Sequence, residues 1–286
     1  IIHISSLPPT ACGIAEYAAV LVKAIHSEYS QVKSFKVRLD FDAHKTWLDC
    51  QQIAVNPLDQ TTIESAVKII NQFRQKTVLL QHEFKLYGGE NGENVSWLFQ
   101  TLDCPIVATL HTIWPVFPPA RQRVFLEVLQ RSNRLIVFTE LAAEILRVNY
   151  KVATEKICVI PHGVPDVPFT QPGTVEWSNV PKRSVRFITI GLLRPTKGIE
   201  AVIAALAEVK KQFSDFAYII CGADHPRNAS AREYRNKLLT MVSSHGLENH
   251  GFLVNVFIDS AELIKAIQSS DADILPYSAS AQSSSG

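Results

Sequence analysis

The chain has 286 residues, 47% hydrophobic and 19% charged, and its 28 Lys and Arg against 27 Asp and Glu leave a formal charge of +1. That balance gives no general attraction to nucleic acid or anionic lipid, and the longest apolar run, residues 216–223, is far short of the roughly 20 residues that span a bilayer. The five cysteines (Cys12, Cys50, Cys104, Cys158, Cys221) never form a C-x-x-C pair, so neither a zinc knuckle nor a disulfide framework is indicated, and a reducing cytoplasm is the expected location. No nucleic-acid partner and no transmembrane segment are expected; peripheral membrane contact stays open. The chain opens without Met in Ile1-Ile2-His3-Ile4, which lacks the basic region of a signal peptide and reads as a first core strand.

In chain order, apolar β-branched runs at 1–5, 32–39, 78–81, 106–110, 135–138 and 157–160 predict strands. Amphipathic stretches at 14–26, 62–73, 121–130 and 141–148 predict helices between them. Residues 161–181 then hold five of the fifteen prolines and follow neither period, so an extended linker is expected there. Beyond it the rhythm restarts, with strands at 185–190, 216–221, near 251–254 and at 272–275, and helices at 198–212, about 229–245 and 261–269. The pattern predicts α/β architecture: two Rossmann-like, doubly wound parallel-sheet domains facing across a cleft. The expected boundaries are 1–165 for the first domain, 166–184 for the linker and 185–286 for the second. The second is expected to be incomplete, because the chain stops at Ser283-Ser284-Ser285-Gly286 directly after a strand pattern.

In open parallel sheets, ligands bind beyond the carboxyl ends of the strands, where helix N-termini present free N–H groups. Several polar residues fall at such ends. After the first strand comes a loop with Pro8-Pro9 and Gly13. Gly13 either lets the backbone approach an anionic ligand or simply permits a tight connection. Gln81-His82-Glu83 follow the strand at 78–81 and could touch a hydroxylated substrate or cap the next element. Position 86 is Leu, so the H-E-x-x-H zinc motif is absent. His111 ends an otherwise apolar strand, where a structural role competes with one in the cleft. Arg194 and Lys197 stand at the start of the helix from 198, where their charges oppose the macrodipole unless an anion, suited to be a phosphate or diphosphate, is present. Asp40-Phe41-Asp42 and Asp271-Ala272-Asp273 have a D-x-D form, but the latter sits at the wrong end of its strand, and no metal site is expected. The G-x-S-x-G, P-loop and G-x-G-x-x-G motifs are all missing.

Taken together, Pro8-Pro9 with Cys12-Gly13-Ile14-Ala15, Gln81-His82-Glu83-Phe84, Thr109-Leu110-His111-Thr112, Val159 to Val164, Gly191 to Gly198 and Ala272 to Tyr277 resemble the family 4 retaining glycosyltransferases of GT-B fold. The resemblance implies transfer of a sugar from a nucleotide-diphosphate sugar to an acceptor hydroxyl with retention, without a cofactor or metal. It implies donor binding by Gly13, Arg194, Lys197 and Gln282, the last standing where the family has the first Glu of a Glu-x7-Glu element. It implies that His111 acts at the reacting sugar, and His162-Gly163 matches a turn entering the second domain. Glu16, His82 and Glu83 are assigned to acceptor or sugar binding. The acceptor class, whether glycan, lipid-linked or small molecule, is not specified. An inactive nucleotide- or glycan-binding relative, a sugar-nucleotide epimerase and a phosphorylase are the alternatives.

Overall fold

The computed structural model describes residues 1–10, 12–43, 47–164, 166–169, 177, 180–223, 231–256 and 260–277. The chain divides into two compact units, Ile1–Val164 and Pro165–Ser280. The first runs β1 (Ile2–Ser5), α1 (Gly13–Glu28), β2 (Phe35–Leu39), β3 (Trp47–Asp49), β4 (Gln52–Val55), α2 (Gln60–Gln72), β5 (Val78–His82), α3 (Ser96–Phe99), β6 (Ile106–Leu110), α4 (Pro119–Arg131), β7 (Arg134–Val137), α5 (Glu140–Tyr150) and β8 (Ile157–Val159). Its sheet has the order β3-β4-β2-β1-β5-β6-β7-β8. Every pairing is parallel except the antiparallel edge pair β3–β4.

The local causes are ordinary. In α2, Ile63, Ala66, Val67 and Ile70 recur at helical spacing and are buried, which seats the helix on the sheet. Its start is fixed by Asp59, whose carboxylate accepts from Thr61 N at 2.9 Å, and a cap of this kind contributes about 1 kcal/mol. Thr139 does the same for α5, accepting from Ala142 N at 3.1 Å. Pro119 opens α4, where a missing N–H costs nothing. The core between them joins Ile4, Val37, Leu80, Ala108 and Leu135 of the strands to Phe125, Leu129 and Leu146 of the helices.

The second unit runs β9 (Val185–Ile190), α6 (Ile199–Lys210), β10 (Phe216–Cys221), α7 (Ala231–Ser244), β11 (Gly251–Val254), α8 (Ser260–Gln268) and β12 (Ala272–Asp273). Its four-stranded sheet is parallel in the order β11-β10-β9-β12. All six residues of β10 are buried, as expected of a parallel strand with neighbours on both sides. Within the segment after residue 165, Trp177 and Val180 pack on Ile188, Ile219 and Ala266, and Gln268 donates to the Pro168 carbonyl at 2.8 Å.

The α/β architecture with two parallel sheets agrees with the sequence reading, and the differences are local. β3 and β4 were not anticipated, because between residues 40 and 61 the only apolar run is Ile53-Ala54-Val55, too short to show a period. β4 exists by pairing with β2, Val37 opposite Ile53. The second strand begins at Phe35 rather than Val32, since the Val32 N–H is used in a turn to Tyr29 O. The strand expected at 272–275 is only two residues long, although Ile274 N still donates to Ile188 O at 2.7 Å.

Each sheet has one place where the chain reverses its direction of winding: between β1 and β5 in the first unit, and between β9 and β12 in the second. Ligands of doubly wound sheets bind at the carboxyl ends of such strands.

Candidate functional site

In the first unit, four rings gather at the carboxyl ends of the strands. Tyr17 of α1 meets His111 edge-on, with ring centroids 5.4 Å apart, and His162 at 4.8 Å. Phe138, just past β7, closes the group at 5.3 Å from His111 and 5.0 Å from His162. His111 is half-buried, and its Nε2 lies 2.8 Å from Gln81 Oε1. Burial, reinforced by the charge of His162, pushes the His111 pKa down to about 4, so the ring is neutral at pH 7. Beside it, Glu83 accepts a hydrogen bond from the Thr112 hydroxyl, joining the β5 and β6 exits.

At the β1 exit, Ser5, Ser6 and Leu7 are buried and the Pro8–Pro9 bond is cis. Cys12 precedes α1 without a side-chain cap, while its carbonyl accepts from Ala15 N and Glu16 N. Gly13 is exposed, and a Cβ placed on it would meet nothing within 4 Å. Among the described residues, packing against the rest of the unit therefore does not by itself require a glycine here.

In the second unit, the β9–α6 connection folds back on itself. Gly191 has φ +137° and Gly198 φ +68°, enclosing a 3-10 turn, Pro195–Lys197. The half-buried Lys197 lies back across Gly191, and its Nζ donates to the Tyr277 hydroxyl at 2.8 Å while standing 4.2 Å from the centre of that ring. Tyr277 follows β12, so this bond spans the reversal point of the sheet. A Cβ on Gly198 would lie 1.9 Å from the Pro276 carbonyl oxygen, which shows how closely the two exits are pressed together. Arg194 is exposed at the entrance to the turn.

Two family profiles match the sequence: Glycosyltransferase Family 4 over residues 91–166 and Glycosyl transferases group 1 over residues 175–280. The chain belongs to the family 4-like glycosyltransferases. No curated protein sequence matches it, but solved structures share its fold. Sucrose-phosphate synthase from Thermosynechococcus elongatus superposes with TM-score 0.68 at 15% identity, over 96% of this chain and 75% of that one. Anabaena Alr3699/HepE in complex with UDP gives 0.66 at 16% identity, over 97% and 74%. A trehalose-6-phosphate structure from E. coli bound with UDP-2-fluoro glucose gives 0.66 at 11% identity, over 96% and 77%.

In this glycosyltransferase, Gly13, Glu16 and His111 sit at the exits of the first sheet and Arg194 and Lys197 at that of the second. Glu16 is partly buried in the first turn of α1. Gln282 lies outside the described residues. His82 differs from the sequence expectation. It is the last residue of β5 rather than the first of a loop, it is wholly buried, and its ring is enclosed by Phe84, Tyr87 and Phe125. Among the described residues neither ring nitrogen has a hydrogen-bond partner, and burial, then the charge of His111, lowers its pKa to about 3. A side chain so enclosed reaches a ligand only through its neighbours. Arg194 and Lys197 do not occupy the first turn of α6 either. Arg194 precedes and Lys197 ends the 3-10 turn before it, and the Lys197 side chain turns back to the Tyr277 hydroxyl. Tyr17, Phe138 and Tyr277 were given no role by sequence reasoning, since aromatic residues in such contexts look like core, and Gln81 was noted only as part of a polar run at its strand end, without its partner His111. Only the cross-strand pairings bring them to the polar residues.

Proposed function

We propose that the chain moves a hexosyl group from a nucleoside-diphosphate sugar to an acceptor hydroxyl, with retention at the anomeric carbon and without a metal. The observation that carries this reading is Lys197, a half-buried ammonium at the reversal point of the second sheet, whose one hydrogen bond among the described residues goes to a neutral phenol, with the Asp273 carboxylate within electrostatic reach but not in contact. With Arg194 nearby in sequence and exposed, it suits the diphosphate of a donor. Charge placed beside a leaving diphosphate lowers the barrier electrostatically. In this reading cationic side chains, rather than a metal ion, neutralise the diphosphate.

In the proposed reaction the bond from the anomeric carbon to the diphosphate oxygen breaks, the acceptor oxygen bonds to the same face of that carbon, and the acceptor proton ends on the released diphosphate. Retention is the course implied by the motif set. His111 contacts the donor sugar, and Gly13 at the start of α1 approaches the donor phosphates, where the N-terminus favours anions. Glu16 and Glu83 serve the sugar or acceptor. The acceptor is a glycan, a lipid-linked sugar or a small molecule. Among the described residues no helix is long and apolar enough to cross a membrane. The cytoplasm is the proposed location on the ground of the five scattered cysteines, which suit a reducing compartment.

Calorimetric titration with UDP, GDP and ADP in the presence of EDTA tests the proposal. UDP comes first, because two of the structural neighbours hold UDP or UDP-2-fluoro glucose. One nucleotide should bind saturably, and the matching nucleotide sugar should release it only when an acceptor is added. Binding without release would assign an inactive relative. Donor interconversion without an acceptor would assign an epimerase, and dependence on inorganic phosphate a phosphorylase. A requirement for divalent metal would overturn metal independence.

A further inference from the structure

We propose that Gln81 is a positioning residue: its amide oxygen fixes His111 as the neutral Nε2–H tautomer and leaves the Nδ1 lone pair as a hydrogen-bond acceptor for a ligand hydroxyl. This rests on the reading of His111 as sugar-facing and deepens it. Gln81 is 3% exposed, so its amide has no solvent to turn towards. Its Oε1 lies 2.8 Å from His111 Nε2, and an amide oxygen only accepts, so the proton belongs to Nε2. Among the described residues this is the one side-chain hydrogen bond of His111, and Nδ1 is left for a partner from outside the chain.

Both residues are held rigidly enough for the bond to act as a lock. The His111 N–H donates to the His82 carbonyl at 3.0 Å, which continues the β5–β6 ladder through both residues' neighbourhood. The Tyr87 hydroxyl donates to the Gln81 carbonyl at 2.5 Å and pins the other side. Edge contacts from Tyr17 and Phe138 fix the tilt of the imidazole. The titratable groups around it are His162 and Tyr17 in the ring cluster, His82 on β5, and Glu83, which is engaged by Thr112. Burial and the His162 charge keep the ring neutral, as an acceptor must be. Such an imidazole takes a proton-bearing partner, a sugar O–H, and discriminates against an ether or carbonyl at that place, which would leave two lone pairs facing each other.

The experiment is NMR of the chain labelled with 15N-histidine, His111 being assigned by its loss in His111→Asn. At pH 7, Nε2 should carry the proton and Nδ1 should not. In Gln81→Leu the two tautomers should interchange, and turnover should fall severalfold, no further than in His111→Ala, while the dissociation constant of the nucleoside diphosphate stays within twofold. Gln81→Glu retains the acceptor and should restore the Nε2–H form, with the titration midpoint of His111 raised by a pH unit or more. A proton on Nδ1 in the parent chain, or an unchanged tautomer in Gln81→Leu, would overturn the proposal and leave the sugar-facing reading of His111 standing. A lost lock with turnover intact would overturn the acceptor role together with that reading.

Discussion

Replacing Lys197 by alanine removes the half-buried cation of the second unit, and the structure sets the size of the effect. A charge-assisted hydrogen bond to a diphosphate is worth about 1.5 to 3 kcal/mol, or roughly 10- to 150-fold in affinity. Lys197 must first leave the Tyr277 hydroxyl, 2.8 Å away. Releasing that neutral acceptor costs about 0.5 to 1.5 kcal/mol, so the measured loss should fall towards the lower end, roughly tenfold. The same reasoning gives Tyr277→Phe the opposite sign. It keeps the ring under the ammonium, deletes the competing hydroxyl, and should tighten nucleotide binding roughly two- to tenfold. In the double variant the gain should vanish, because it acts only through Lys197. Calorimetric titration of the four proteins with the cognate nucleoside diphosphate, at fixed ionic strength, completes the cycle. An unchanged dissociation constant in Lys197→Ala, or weaker binding in Tyr277→Phe, would refute the exchange of phenol for phosphate.

For His111→Ala, one lost contact of about 1.4 kcal/mol at the reacting sugar should lower kcat by roughly tenfold with little change in nucleotide affinity, and steady-state rates equal to the parent would return His111 to a structural role. Acid should destabilise the first unit in a defined window. Burial holds the folded-state pKa values of His3 and His111 at about 4 and of His82 at about 3, below the unfolded value of 6.5. The unfolded chain therefore takes up protons that the folded one refuses, so stability is full above pH 6.5 and falls as pH drops towards those values. Each such proton adds a slope of about 1.4 kcal/mol per pH unit. Urea midpoints of His82→Leu across pH 4 to 6.5 should show a shallower fall than the parent; parallel curves would contradict the neutral, buried state. Gly198→Ala forces a side chain into φ +68° and sets its Cβ 1.9 Å from Pro276 O, so a loss of at least about 2 kcal/mol is expected from denaturant unfolding. A midpoint like the parent's would mean that the two exits are not pressed together.

What the sequence disclosed follows from what period and composition encode. Strands such as β6 and β10 are runs of apolar residues flanked by helical patterns, and they were legible because both sides of a parallel sheet are covered. β3 and β4 were not, since β4 exists by hydrogen bonds to β2, a distant stretch of chain, and β3 by pairing with β4 in turn. Among site residues, His111 and Lys197 stood out as polar groups at the ends of apolar runs. Gln81 stood in a polar run noted at its strand end and Tyr277 in the last motif, but their partners became visible only through pairing: β5 against β6 brings Gln81 opposite Thr109, two residues before His111, and β12 against β9 delivers Tyr277 to Lys197. His82 misled for the related reason that local polarity does not reveal burial. Its neighbours Phe84 and Tyr87 lie two and five residues on, and a short 3-10 turn, Phe84–Leu86, folds them back over its ring.

The contacts at Gly198 and Gly222 bear on how substitutions in this protein are to be interpreted. A methyl group at Gly222 would sit 1.9 Å from the Gly191 carbonyl oxygen, just as one at Gly198 would sit 1.9 Å from that of Pro276. In a library screened for nothing but soluble expression, both positions should come back as glycine, although neither offers a side chain to any ligand. Gly13, with open space around it, should vary freely in that screen and become restricted only when turnover is selected. Comparing the two screens would separate glycines kept for the architecture from any kept for turnover.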